Sequence, residues 1–456
     1  MKTIFITVYD GDIEKNILQS DVLRTLRSAN LKIVLLVKNG IVHNYRHYAD
    51  ERVVVEELPP ALCFSEKFFY WIGWNILPTR SGYLRRRQSY KLHRSYVRLM
   101  LGDFLGWCGR SRTFRQALRA VYAVIPDGYG ADLFERYKPD LLYAPSMFSP
   151  EDGRLLRMAK RKGVGTVTAS KSWDVLTNKA FTRIRADTII VQNPLIRDVA
   201  ITLGDYDPTQ VEVVGFVQFD FTVRQDLIMP REEYLNKIGA DPGRKLILYS
   251  TSGDWKNPYD DEVVEGIHDA IVTGVIPHAQ ILARFHPKYS SKIERLDLPH
   301  LITHRPCEGE EQVESYDSSA SRVYPFTFRE DDYVDLANAL YHSDVTINTM
   351  SSITLDAIAY DKPVVLICHD GLDRSLPYLE SLRRMYDEDH YRVIMESACV
   401  AASYSMKDTV EAIRAYLADP SRDAEGRAFI REQVLYKLDG KSGERIAQTL
   451  LRRLNL

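Results

Sequence analysis

The sequence predicts an α/β protein made of two Rossmann-like halves, each a parallel sheet flanked by helices. Three observations predict it. Short β-branched or apolar runs alternate with helical patterns over most of the 456 residues, the order that builds parallel sheets with right-handed crossovers. The alternation lapses from Phe219 to Arg231, which divides the chain into halves at 1–225 and 226–456. The stretch Ser343–Cys368, SDVTINTMSSITLDAIAYDKPVVLIC, then holds a complete strand, turn, helix and strand.

In the first half Thr3–Tyr9 alternates like a strand and Asp10-Gly11-Asp12 breaks it. Ile13, Ile17, Leu18, Val22 and Leu26 recur at helical spacing, and Leu31–Val37 and Arg52–Glu56 are the next strands. The rhythm resumes after residue 125 with strands at Leu141–Tyr143, Val164–Thr168, Thr188–Val191 and Val211–Gly215, separated by helices at Asp152–Lys162 and Leu195–Leu203. Ala169–Lys179, ASKSWDVLTNK, is a loop.

Residues 60–125 form an insertion. Phe64, Phe68, Phe69, Tyr70, Trp71 and Trp74 cluster first, and a run of arginines follows in which Asp103 is the one acid from 80 to 119. An aromatic band beside a basic face suits an anionic membrane surface or a phosphorylated acceptor. A solvated helical pair with buried aromatics satisfies the same pattern.

The second half starts with a strand at Lys245–Ser250, a helix at Asp260–Val272 and a strand at Gln280–Phe285. In Ser343–Cys368, Val345-Thr346-Ile347 is a buried strand, Ser351 or Ser352 caps the short helix, and Asp361-Lys362-Pro363 stops it. Val364–Ile367 is apolar throughout, as a parallel strand covered on both faces should be. Helices at Lys407–Leu417 and Lys441–Leu454 close the chain and this domain.

In open α/β sheets ligands sit beyond the carboxyl ends of strands, so the loops after strands carry the candidate chemistry. Thr251-Ser252-Gly253 is small and hydroxyl-rich and lets backbone donors approach an anion. Arg284, His286 and Lys288 place three cationic side chains after one strand, suited to a diphosphate. Thr349, Ser351 and Ser352 precede a helix, where free N–H groups attract anions, although a plain capping turn reads the same way. Asp356, one turn deeper, can accept hydrogen bonds from ribose hydroxyls.

Taken in order, these pieces resemble the donor domain of the GT-B glycosyltransferase superfamily. The likeness is greatest to the branch of CDP-glycerol glycerophosphotransferases and bacterial capsule- and sialyl-type transferases. It rests on RADTIIVQN with VEVVGFVQFD, then LILYSTSG, LARFHPK, SDVTINTMSSITLDAIAYDKPVV and LDGKSGERIA, over roughly residues 185 to 450. The resemblance implies two Rossmann-like domains facing a central cleft, acceptor domain first and nucleotide-donor domain second. It implies that His286, flanked by Arg284 and Lys288, contacts the donor phosphates with Ser351 and Ser352, and that Asp356, where the family often has Glu, takes the ribose. The first-half loop departs from the CDP-glycerol enzymes, which carry a His-Gly pair there. Its SWD-x-x-T-x-K form (Ser172, Trp173, Asp174, Thr177, Lys179) is similar to another bacterial branch. Asp174 is either a general base toward an acceptor hydroxyl or a cap, and Asp10, Asp12 and Glu14 are rival carboxylates.

The expected activity is transfer of a sugar from a nucleotide-activated donor to a saccharide, lipid-linked or protein acceptor, with no metal and no other cofactor. Asp10-Gly11-Asp12 spells the DxD of metal-dependent GT-A enzymes, but its place after the first strand argues against that use, and His43, His47 and His93 lack a third ligand. Polyol-phosphate transfer, nucleotide-sugar 2-epimerisation and a non-catalytic envelope-assembly role fit the same outline. A net charge of −2 argues against nucleic acid as partner. Five dispersed cysteines without a CxxC pair, no signal-like N-terminus and no apolar run of membrane-spanning length lead to the expectation of a cytoplasmic protein, peripheral on the inner membrane face if the insertion binds lipid.

Overall fold

The structure is a computed structural model that describes residues 1–179, 181–254, 256–287, 289–306, 315–316, 322–323, 330–372 and 374–456. Lys288 and Cys307 therefore lie outside the described residues. Two units divide the chain: Met1–Gln218 with Glu388–His390 and Lys441–Leu456, and Phe219–Asp387 with Tyr391–Gly440.

The first unit is built on β1 (Lys2–Val8), β2 (Leu31–Val37), β3 (Val53–Glu57), β4 (Leu141–Ala144), β5 (Gly165–Ala169), β6 (Thr188–Val191) and β7 (Val211–Val213). Their order is β3-β2-β1-β4-β5-β6-β7, all parallel. Ile4, Phe5, Ile6 and Val8 are buried on both faces of β1, which is why that strand reads as nearly continuous hydrocarbon. The helix expected from Ile13 to Leu26 is broken. Glu14–Leu18 winds as a π-turn, and Ser20 starts a new helix, Asp21–Ser28, by accepting the Val22 N–H at 3.2 Å. The last helix, Ser442–Leu454, packs on Asp21–Ser28 and buries Ile446, Ala447, Leu450 and Leu454 in this unit's core. That corrects its expected place with the donor half: periodicity identifies an apolar face but not the sheet that covers it.

The insertion is four helices, Phe64–Asn75, Arg80–His93, Tyr96–Cys108 and Arg112–Val124. Its arginines do not form one wet face. Arg115 and Arg119 are buried on Asp205, each at 2.5 Å. Arg86 is buried beside Asp103 at 3.0 Å. Below them Glu66, wholly buried, takes Arg157 at 3.0 Å and Arg183 at 2.9 Å, together with the Tyr122 hydroxyl. Each of these charges is tolerable only because it is paired.

The second unit contains β8 (Lys245–Ser250), β9 (Ala279–Arg284), β10 (Leu301–His304), the hairpin β11 (Ser315–Tyr316) with β12 (Arg322–Val323), then β13 (Val345–Asn348), β14 (Val364–Ile367) and β15 (Ala401–Ser403). The main sheet runs β10-β9-β8-β13-β14-β15, again parallel throughout. Register aligns Ser250 with Arg284 on one side and with Asn348 on the other. Three strands thus end level. The Ile353–Ala359 helix is stopped where expected: Asp361 takes φ +55°, and the Lys362 N–H returns to Ala357 O at 2.9 Å before Pro363.

Replacing Glu66 with Ala leaves two buried arginines short of a carboxylate. The expected loss is about 3–5 kcal/mol, the cost of breaking a buried pair from one side, read from urea unfolding of the first unit by intrinsic fluorescence.

Candidate functional site

In each sheet the strand order reverses once, between β1 and β4 in the first and between β8 and β13 in the second. Such a reversal opens a crevice at the carboxyl ends of the strands, where α/β proteins take ligands. The candidate loops of the second unit surround its reversal point.

The loop after β8 is tied to the loop after β9. The Thr251 N–H donates to Arg284 O at 3.1 Å, and the His286 N–H donates to Thr251 Oγ1 at 3.2 Å. Gly253 has φ +83°, and a Cβ there would stand 2.4 Å from the Tyr289 Cβ, so both conformation and space require glycine. The His286 ring lies 4.8 Å from the Tyr289 ring. The loop after β13 joins the same group: Asn257 Nδ2 donates to Thr349 Oγ1 at 2.9 Å, and the Lys256 ammonium donates to Met350 O. Ser252 Oγ is buried and finds no partner among the described residues, an open hydroxyl amid these loops.

Other expected residues are placed differently. Arg284 is buried, with Nη1 3.1 Å from His304 Nδ1. Alternation along β9 puts Ala283 and Phe285 in the core on one face and Arg284 on the other. Burial, with Arg284 next, holds the His304 pKa down to about 4. Ser352 occupies the N-cap of the Ile353–Ala359 helix, but its side chain makes no capping bond and is exposed. Asp356 is buried on that helix and assists burial in raising the Tyr360 phenol.

Beneath the loops lies a residue absent from the expected set. Asp260 begins the Asp260–Val272 helix and is buried. It accepts from Tyr249 Oη and from Asn257 Nδ2, each at 2.6 Å. Burial pushes its carboxyl up to about 7, while hydrogen bonds from Tyr249 and the Ser252 amide pull it back. Asp260, Asn257 and Thr349 therefore span the reversal point. The first unit repeats the device: Asp152 accepts from Tyr9 Oη at 2.7 Å and from the Ser146 N–H at 2.8 Å, joining the ends of β1 and β4. Its carboxyl is likewise pushed by burial up to about 7.

The first unit gathers the remaining candidates on two sides of Lys171. Its ammonium holds Asp10 at 2.6 Å and Asp12 at 3.1 Å. Burial raises the Asp12 pKa, but Lys171 outweighs it and the net shift is downward. Glu14 is buried and accepts from Tyr48 Oη at 3.0 Å. Asp174 is bound by the Ser172 hydroxyl and by Lys179 at 3.1 Å. Burial opposes its ionisation, yet Lys179 and His390 keep its pKa below the usual value. The His390 ring meets Trp173 edge-on at 4.8 Å, and its Nδ1 is 3.7 Å from Glu388, which also takes Asn178 Nδ2 at 2.7 Å. A pocket beyond β4, β5 and β6 is lined by Tyr143, Ser170, Lys171, Gln192 and Phe216, with Asn16 at its side. Asn16 Oδ1 and Gln192 Oε1 are buried there without a donor among the described residues. Two carbonyl oxygens so placed are acceptors for ligand hydroxyl or N–H groups.

No protein-family model and no curated protein matches the chain. Solved structures do. The S. aureus MnaA–UDP co-structure aligns with TM-score 0.54 at 12% identity over 100% of this chain and 98% of that one. The UDP-GlcNAc 2-epimerase from Neisseria meningitidis, bound to UDP-GlcNAc, aligns with TM-score 0.52 at 10% identity over 99% and 100%. CalG4, the calicheamicin glycosyltransferase, aligns with TM-score 0.51 at 12% identity over 100% and 98%. The fold is GT-B.

Within this GT-B fold, sequence reasoning missed Lys256, Asn257, Asp260, Glu388 and His390. The run DWKNPYDD marked the first three as a polar loop between strand and helix, and YDEDHY marked the last two as a histidine amid acids. Among the described residues no three His, Cys, Asp or Glu side chains are grouped to hold a metal ion.

The raised Asp260 pKa has a sign. Its folded value, about 7, exceeds the usual 3.8, so the folded protein holds this proton more tightly. The stability it contributes is complete below the unfolded value and is lost as pH rises through the folded one. Between about pH 4 and 7 the melting temperature of wild type should fall relative to that of Asp260→Asn, which lacks the titration, and above that range the difference should level off.

Proposed function

We propose that the chain is a glycosyltransferase that moves a sugar from a nucleotide-activated donor to a hydroxyl of a saccharide, lipid-linked or protein acceptor in surface-glycan synthesis, without a metal. One observation carries the reading: β9, β8 and β13 end level, and their loops are hydrogen-bonded into one group at the reversal point. A departing nucleoside diphosphate needs positive charge and oriented N–H donors, and these loops supply His286, Lys256 and the backbone of 251–253 and 350–352. The UDP bound by S. aureus MnaA and the UDP-GlcNAc bound by the Neisseria meningitidis enzyme support a nucleotide-sugar ligand.

The acceptor belongs to the first unit in this proposal. Its hydroxyls hydrogen-bond to Asn16 and Gln192 in the pocket beside Lys171. Asp174, paired with Lys179 and held ionised, is a weak base. The base is then His390, packed edge-on against Trp173 with the Glu388 carboxylate 3.7 Å from its Nδ1. Asp174 keeps Lys179 and the imidazole in place. Asp10 and Asp12, neutralised by Lys171, fix that side chain and take no proton.

The likeness to the Neisseria meningitidis UDP-GlcNAc 2-epimerase favours one second reading, a nucleotide-sugar 2-epimerase. It differs in turning over donor with no acceptor present.

Calorimetric titration with UDP, CDP and GDP should find one nucleotide that binds wild type well and His286→Ala roughly 10- to 100-fold more weakly, the value of a charge-assisted hydrogen bond. Equal affinity removes His286 from the site. In assays with donor and a glycan acceptor panel, His390→Ala should lower kcat by about 10²- to 10⁴-fold, as loss of a general base does, with donor affinity unchanged. Product formed without acceptor would replace transfer by epimerisation.

A further inference from the structure

The Tyr96–Cys108 helix is built inside out. An amphipathic helix on a globular protein normally turns its large apolar residues inward. Here the residues that face in are Gly102 and Gly106. A Cβ on Gly102 would stand 2.7 Å from Asn75 Oδ1, and one on Gly106 would stand 2.8 Å from Arg86 Nη2. The glycines let the helix lie flat against Arg86, which is buried and donates to Asp103 and to the carbonyls of Asn75 and Leu77.

Apart from half-buried Leu99 and Leu105, the large apolar side chains point the other way. Tyr96, Val97, Met100, Leu101, Phe104 and Trp107 are between 49% and 71% exposed. Their spacing places all six on one side of the helix, over about 16 Å of its length at 1.5 Å per residue. Phe104 and Trp107 stack on each other, with ring centres 6.1 Å apart. Exposed Arg94 and Arg98 stand at the start of the stripe and Arg110 beyond its end. Asp103 is the only acid from Arg80 to Ile125, and it is paired with Arg86 at 3.0 Å and Arg87 at 2.9 Å.

We infer that this helix docks the protein on an anionic lipid surface, lying in the interface with its stripe among the acyl chains and its arginines on the headgroups. The residue types are those of interfacial helices, which combine an aromatic and aliphatic face with basic flanks. The charge selects the occupant. A second copy of the chain would bring Arg94, Arg98 and Arg110 against their own equivalents with no exposed acid to answer them, whereas anionic headgroups neutralise them. Among the described residues no helix is long and apolar enough to cross a membrane. The inference stands apart from the transfer reaction, since it needs no nucleotide.

The test uses the full chain and vesicles without donor or acceptor. Wild type should sediment with phosphatidylcholine vesicles containing about 30% phosphatidylglycerol and remain largely in solution with pure phosphatidylcholine, and the binding should weaken as salt rises from about 0.05 to 0.5 M. The double variant Phe104→Glu/Trp107→Glu should lose binding with its circular dichroism and melting temperature intact, because both side chains are exposed. Arg98→Glu/Arg110→Glu should bind anionic vesicles roughly tenfold or more weakly, each arginine near such a surface being worth several-fold. Wild type that ignores anionic vesicles, or binds neutral and anionic vesicles alike at every salt, overturns the proposal. So does a dimer that Phe104→Glu/Trp107→Glu dissociates in the absence of lipid binding.

Discussion

The parallel register of β9, β8 and β13 is the constraint on which the rest of the candidate donor site depends. Ser250 is level with both Arg284 and Asn348, so three chain segments leave the sheet at one height. Nothing further along those segments would meet if one strand slipped, because a one-residue shift also turns every side chain to the opposite face. Thr251 then fastens two of the loops through its backbone and hydroxyl, and Asn257 fastens the third. Preorganisation of this kind lets a phosphate site work without reorganising as charge develops.

Each unit also supports its reversal point with the same pair, a tyrosine hydroxyl donating to a buried aspartate at the start of a helix. Tyr9 with Asp152 and Tyr249 with Asp260 differ in sequence context and agree in role. Asp152 joins the ends of two strands that are not consecutive in the chain directly, whereas Asp260 reaches the loop after β13 through Asn257 and Thr349. Burial opposes the charge of both carboxyls, so the neutral form is favoured well above the usual range.

The sheets were legible because their strands are short apolar runs with polar borders, and Val345–Asn348 and Val364–Ile367 illustrate it. The loops after them were legible for the same reason: a ligand crevice in a parallel sheet has a fixed end. Side-chain direction was less so. Arg284 and His286 are two residues apart, yet the first is spent on His304 beneath the loops and the second joins them. Asp260 carries no motif, since its importance comes from a burial that only the fold creates. Arg115 and Arg119 read as part of a basic face because their acidic partner, Asp205, is distant in sequence. His390 was hidden for a similar reason, being far along the chain from Trp173.

In the proposed function the second unit's grouped loops bind the diphosphate of a nucleotide sugar. Hydrogen–deuterium exchange with and without saturating nucleotide tests it most directly, because it reports where protection falls. Protection gained on binding should be concentrated in 250–257, 284–287 and 348–356. Protection confined to the loops of the first unit, with those three segments unchanged, would contradict it.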